Sequence, residues 1–230
     1  MAATPKTSLS VPPLENGDRL SRTEFERRYQ AMSYLKKAEL VEGVVYMASP
    51  LRIRSHGEPH ADLIGWLWTY KTVTPGIVLG DNPTVRLDPD NEPQPDAVLF
   101  IPGRQATISE DDYIEGAPEL VLEVAASSVA IDLHDKKRAY RRSGVREYIV
   151  WRTLDSQVDW FVLKADEYVC QLPDEQGIVR SDIFPGLWLA VSALLSGEMT
   201  TVLAVLQQGL NSPEYQAFVQ QLAKETGNQQ

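Results

Sequence analysis

Apolar and polar positions along this chain fall into two rhythms, one helical and one strand-like, separated by turn-rich stretches. Residues 1–20, rich in Ala, Thr, Ser, Pro and Gly, carry neither rhythm and read as a flexible leader. Ser21-Arg22-Thr23-Glu24 has the form of a capping box and predicts a helix through about Met32. Ala38-Glu39-Leu40-Val41 and Val44-Val45-Tyr46-Met47-Ala48 flank Glu42-Gly43, which predicts a tight β-hairpin with Glu39 and Val41 on one face. Leu63, Ile64, Leu67, Trp68 and Tyr70 recur at near-helical spacing up to Pro75-Gly76 and predict an amphipathic helix. Strands are expected at residues 77–79, 84–87, 96–101, 119–124, 147–151, 158–163 and 168–172, and further helices at 133–142, 191–208 and 213–224. The pattern predicts a mixed α/β domain over 21–210, a central mixed sheet flanked by helices, followed by a C-terminal helix and tail over 211–230, with no internal repeat.

The chain has 230 residues, 43% of them hydrophobic, enough for one sizeable core. Its 32 acidic against 22 basic residues give a formal charge of -10, which argues against sequence-independent coating of nucleic acid but leaves room for a local basic groove. Cys170 stands alone, so a disulfide framework and a cysteine zinc cage are excluded, and its place in a strand-like stretch suggests packing. No apolar run approaches the roughly 18 residues of a membrane span, and residues 1–13 lack the apolar core of a signal peptide. No membrane partner and a cytoplasmic location are therefore expected.

Three segments place ionisable groups where burial should exclude them. Pro95-Asp96 enters the apolar run Ala97-Val98-Leu99-Phe100-Ile101, and Glu123 lies inside Leu120-Val121-Leu122-Glu123-Val124. Asp96 shares a strand face with Val98 and Phe100, and Glu123 with Val121 and Ala125. On adjacent strands the two carboxylates would lie roughly 5 Å apart. Repulsion there favours a compensating divalent cation, and hard oxygen donors favour Mg²⁺ or Mn²⁺ over Zn²⁺.

Asp132, Lys136 and Tyr140, spaced i, i+4 and i+8, form one helix stripe from which Lys136 can lean toward the sheet and assist an attacking water. Asp132 and Lys136 also have the spacing of an ordinary helix ion pair, worth only about 0.3–0.5 kcal/mol. Lys137, Arg138, Arg141 and Arg142 make the same helix the candidate phosphate-facing, nucleic-acid-binding surface. His56, His60 and His134 form no zinc motif; capping or surface roles are expected for the first two and solvent exposure for the third. Trp66, Trp160 and Trp188 are expected in the core, whereas Trp68 and Trp151 are open.

The series Glu39-Leu-Val-Glu42-Gly43, Met47-Ala48-Ser49-Pro50, His56-Gly57, Pro95-Asp96, Glu119 to Val124, Asp132 to Lys136 to Tyr140 and Gly144-Val145-Arg146-Glu147-Tyr148 resembles the bacterial Uma-type “putative restriction endonuclease” family. That family is abundant in cyanobacteria and is placed in the PD-(D/E)xK nuclease superfamily. Ile183-Phe184-Pro185-Gly186-Leu187 extends the likeness to about residues 22–195. The resemblance implies a restriction-endonuclease-like fold and Mg²⁺- or Mn²⁺-dependent hydrolysis of DNA, with Asp96 and Glu123 as metal ligands. The simplest superfamily pattern has a lysine two residues after the glutamate; here Ala125 stands there. The resemblance instead points to a lysine from the following helix, Lys136, with Lys137 as the alternative. It also points to an additional carboxylate from the early hairpin; Glu39 is preferred because the turn accounts for Glu42. A homodimer matching the two-fold symmetry of duplex DNA is the expected assembly. The competing expectation is a catalytically silent member that serves as a binding or assembly module.

Overall fold

Strands 97–100, 120–125 and 147–152 are buried almost throughout, which is why they read as unbroken apolar runs rather than as alternating ones. The computed structural model describes residues 11–48 and 50–227. In chain order it contains α1 (Arg22–Ala31), β1 (Ala38–Val41), β2 (Val44–Met47), α2 (Glu58–Val73), β3 (Val78–Asp81), β4 (Val85–Arg86), β5 (Ala97–Phe100), β6 (Ala106–Ile108), β7 (Ile114–Gly116) and β8 (Leu120–Ala125). There follow α3 (Lys137–Ser143), β9 (Glu147–Arg152), β10 (Gln157–Lys164), β11 (Glu167–Cys170), β12 (Ile178–Arg180), β13 (Trp188–Ala190), α4 (Val191–Leu195), α5 (Met199–Leu210) and α6 (Pro213–Gly227). Two π-helical turns, Ile53–Gly57 and Ile131–Lys136, lead into α2 and α3.

The central sheet has the order β11-β10-β9-β8-β5-β3. β8 and β9 run parallel, joined by the crossover through α3, and the other neighbouring pairs are antiparallel. On one face, Trp66, Leu67 and Tyr70 of α2, Leu206 of α5 and Phe218 of α6 pack with Leu99, Leu122 and Ile149. On the other, Tyr140 of α3 packs with Val98, Val121, Tyr148 and Phe161. Burying side chains of this size contributes roughly 1.5–3 kcal/mol each. A third cluster joins Phe25 of α1 to Leu40 and Val45 of the β1–β2 hairpin. Reciprocal backbone bonds between Leu40 and Glu92 fasten that hairpin to the loop ahead of β5. The result is the expected mixed α/β architecture.

Several expectations need correction. The leader is ordered from Leu14, which is buried; Gly17 N–H donates to Val45 O and Leu20 N–H to Gly43 O, so this stretch runs along β2. Residues 1–10 lie outside the described residues. Helix α1 begins where expected, yet Ser21 makes no capping bond and Glu24 is drawn to Arg27 and Arg28 instead. Strands β6, β7, β12 and β13 are three residues each, too short to display a period. The helix expected over 191–208 divides at Ser196-Gly197, where Gly197 has φ 76°. The C-terminal helix expected over 213–224 is α6, and Tyr215, Phe218 and Leu222 bring it into the main core of the body that precedes it. Cys170 is exposed on the edge strand β11, not packed. Trp66, Trp151 and Trp160 are buried, Trp188 is partly so, and Trp68 faces solvent.

Candidate active site

Ala97 pairs with Leu122 across the antiparallel β5–β8 ladder, so Asp96, one residue before, faces Glu123, one residue after. Directly opposed residues project from the same face of a sheet. Here it is the α3 face, continuous with Val98, Phe100, Val121 and Ala125. Asp96 Oδ2 accepts the Val124 N–H at 2.7 Å, which locks its carboxylate against the backbone next to Glu123.

The crossover after β8 supplies the partner groups. Its π-helical turn delivers Asp132 and Lys136, and α3 delivers Tyr140 one turn later. Gly144, at φ 87°, caps α3 in the left-handed conformation and turns the chain into β9. Glu123 Oε1 accepts bonds from Lys136 Nζ at 2.9 Å and from the Tyr140 hydroxyl at 3.0 Å. Lys136 Nζ also lies 2.8 Å from Glu39 Oε1 and 3.7 Å from Asp132 Oδ1. Glu39 reaches this point because Glu42 (φ 53°) and Gly43 (φ 71°) both take positive φ in the two-residue turn that closes its hairpin. The same Glu39 oxygen accepts the Gln94 N–H at 2.7 Å.

Lys137 has its ammonium 3.5 Å from the centre of the Phe161 ring. The candidate lysine is therefore Lys136 by position, and Lys137 stands over Phe161 instead.

Burial pushes the Glu123 carboxyl well up, opposed by Lys136 and reinforced by Asp132, Asp96 and Glu39. Asp132 is likewise raised by burial against the pull of Lys136. Burial alone would lower Lys136, but Glu123, Glu39 and Asp132 outweigh it and carry its ammonium well above the usual lysine range. Burial also opposes ionisation of Asp96, yet hydrogen bonding from His56 and from Val124 N–H holds that carboxyl below its ordinary value. His56 Nδ1 donates to Val124 O at 3.0 Å and its Nε2 lies 3.5 Å from Asp96 Oδ1, with Lys37 Nζ on the same oxygen at 3.9 Å.

Asp96, Glu123, Lys136 and Glu39 are thus brought together. Glu42 is elsewhere, bonded to Arg142, which also reaches Asp88. Arg138 pairs with Asp135 and Arg141 with Glu167. None of Lys137, Arg138, Arg141 or Arg142 makes a hydrogen bond or ion pair with the carboxylate cluster. Sequence reasoning gave too little weight to His56, expected as a capping or surface residue, although His56-Gly57 stood in the motif series. Asp132 and Tyr140 stood on the expected helix stripe with Lys136, without a role of their own; Lys37 carried no signal at all. His134 is exposed, as expected.

The donor set can be tested against a metal. Among the described residues, no three His, Cys, Asp or Glu side chains converge ready-made on one point. Three carboxylates, of Glu39, Glu123 and Asp132, nonetheless gather around the one buried Lys136, with Asp96 facing Glu123 across the ladder, and burial raises the proton affinity of Glu123 and Asp132, so the cluster has room for more positive charge. Opposed Asp96 and Glu123 fit a hard divalent cation that takes its remaining oxygens from outside the protein.

The family model described as “Putative restriction endonuclease” (Uma2) matches residues 22–192. The chain belongs to this Uma2 family. Its fold is similar to that of “a putative nuclease belonging to DUF820” from Anabaena variabilis, at 14% identity and a TM-score of 0.53, covering 69% of this chain and 89% of the other. Among curated proteins, none matches. The fold is thus of the restriction-endonuclease-like type, and membership of the Uma2 family supports a nuclease. No helix among the described residues is long and apolar enough to cross a membrane.

Proposed function

We propose that this Uma2 protein is an endonuclease hydrolysing phosphodiester bonds of DNA, with Asp96 and Glu123 holding Mg²⁺ or Mn²⁺ and Lys136 orienting the attacking water. The observation that carries this reading is the opposed Asp96–Glu123 pair with Lys136 seated on Glu123. A divalent cation at this pair would supply Lewis-acid polarisation of the scissile phosphate. Lys136, kept cationic by its carboxylate neighbours, acts as a hydrogen-bond donor rather than a base: it orients the water and stabilises negative charge building on the phosphate oxygens. The water oxygen bonds to phosphorus and gives up a proton to solvent as the bond to the leaving oxygen breaks, and the leaving oxygen takes a proton from solvent to become the new hydroxyl end. Tyr140 and Glu39 fix Glu123 and Lys136 in place. Two copies about a two-fold axis would offer one such site to each strand of a duplex.

Cleavage of supercoiled plasmid with Mg²⁺ or Mn²⁺ tests this reading, comparing the natural protein with Glu123→Ala and using circular dichroism to show that both are folded. Cleavage by the natural protein alone is expected. Undiminished cleavage by Glu123→Ala contradicts the assignment, and absence of both cleavage and metal binding in the natural protein favours a silent binding module.

A further inference from the structure

The cations of α3 are spoken for, whereas a different set is not. Lys36, Arg52 and Arg54 are exposed and make no ion pair or side-chain hydrogen bond with any described residue. Along the chain they neighbour the two groups that face Asp96 Oδ1: Lys36 precedes Lys37, Arg52 immediately precedes the turn that delivers His56, and Arg54 lies within it. Arg52 O accepts the N–H groups of both His56 and Gly57, and Ser55 O accepts the Thr153 hydroxyl, so the turn is held against the end of the sheet. Interleaved with the arginines are Leu51 and Ile53, 69% and 73% exposed, and Tyr34, two residues before Lys36, is 75% exposed.

In a chain of net charge -10, unpaired cations bordering a carboxylate cluster are where a polyanion meets least repulsion. An arginine already facing Asp135 or Glu167 presents a phosphate with a neighbouring negative charge as well. Exposed apolar side chains between cations supply surface for sugars and bases, which a purely electrostatic patch lacks. Building on the nuclease reading, we infer that residues 51–54 together with Lys36 form the surface on which a nucleic-acid strand lies as it enters the site, and that the outer face of α3 does not.

The test is fluorescence anisotropy of short fluorescein-labelled single- and double-stranded DNA, with EDTA present so that nothing is cut. Thermal unfolding of each variant serves as the folding control. Arg52→Ala/Arg54→Ala should weaken binding about tenfold or more and reduce the slope of log K against log salt by about 2, while Arg138→Ala/Arg141→Ala stays within about twofold of the natural protein. Arg52→Lys/Arg54→Lys should restore most of the affinity. Unchanged binding by the Arg52/Arg54 variant, or a loss carried by the α3 variant, overturns the inference and leaves the nuclease reading standing. If the natural protein binds neither DNA, the inference falls; the nuclease reading falls with it only if plasmid cleavage is also absent.

Discussion

Glu123 and Glu147 occupy adjacent parallel strands and both are buried, Glu123 inside a run of apolar residues and Glu147 at the head of one, yet their surroundings have opposite character. Glu147 Oε2 accepts the Ser181 hydroxyl at 2.6 Å, and Oε1 accepts the Asp182 N–H at 2.7 Å. Among the described residues no cation pairs with it; it anchors the turn before Phe184. Glu123 is instead held by Lys136 and Tyr140 and faces Asp96 across the ladder. Burial of a carboxylate does not mark a site. What marks it is a partner set of side chains from separate elements that leaves negative charge in excess.

The largest contrast is in activity. Glu123→Gln should reduce plasmid cleavage by about 10³-fold or more, in the range seen when a key electrostatic group is lost, whereas Glu147→Gln should leave it within about twofold. Equal losses in the two variants would erase the distinction. Next comes stability: Lys136→Met strands Glu123, Glu39 and Asp132 together, and should cost about 3–5 kcal/mol in urea unfolding.

A smaller effect separates the two glutamates by pH. Burial raises Glu147 from 4.5 to about 7, with Ser181 and two backbone N–H groups opposing the shift. A carboxyl raised in the folded state binds more protons there than in the unfolded chain, so its contribution to stability is greatest below pH 4.5, declines as pH rises to about 7 and is flat beyond. Glu147→Gln should remove that decline, on the order of 2 kcal/mol over the window, as read from chemical unfolding between pH 5 and pH 8. The smallest effect is expected on α3: Arg141→Ala breaks an exposed pair with Glu167 and should change stability by less than about 1 kcal/mol.

The strands that build the site were legible because their apolar runs are long and buried, and the hairpin because Glu42-Gly43 meets the demands of its turn. Asp96 and Glu123 stood out as charges inside such runs. Glu147 stands at the head of an equally buried strand, and burial by itself does not tell the two glutamates apart; the contacts with Lys136 and with Ser181 do. The basic stretch on α3 was equally visible, but its cations find their partners in Asp135, Glu167, Glu42 and the Phe161 ring, residues distributed over the chain. Order along residues 14–20 was invisible for the same reason, since it depends on bonds to the distant strand β2.

Opposition of Asp96 and Glu123 as a binding pair for a divalent cation is the central claim, and calorimetric titration of Mn²⁺ into the natural protein, Asp96→Asn and Glu147→Gln measures it most directly. Binding by the natural protein and by Glu147→Gln, weakened at least about tenfold in a folded Asp96→Asn, is the expected result. Binding of equal strength in Asp96→Asn, or none in the natural protein, would contradict it.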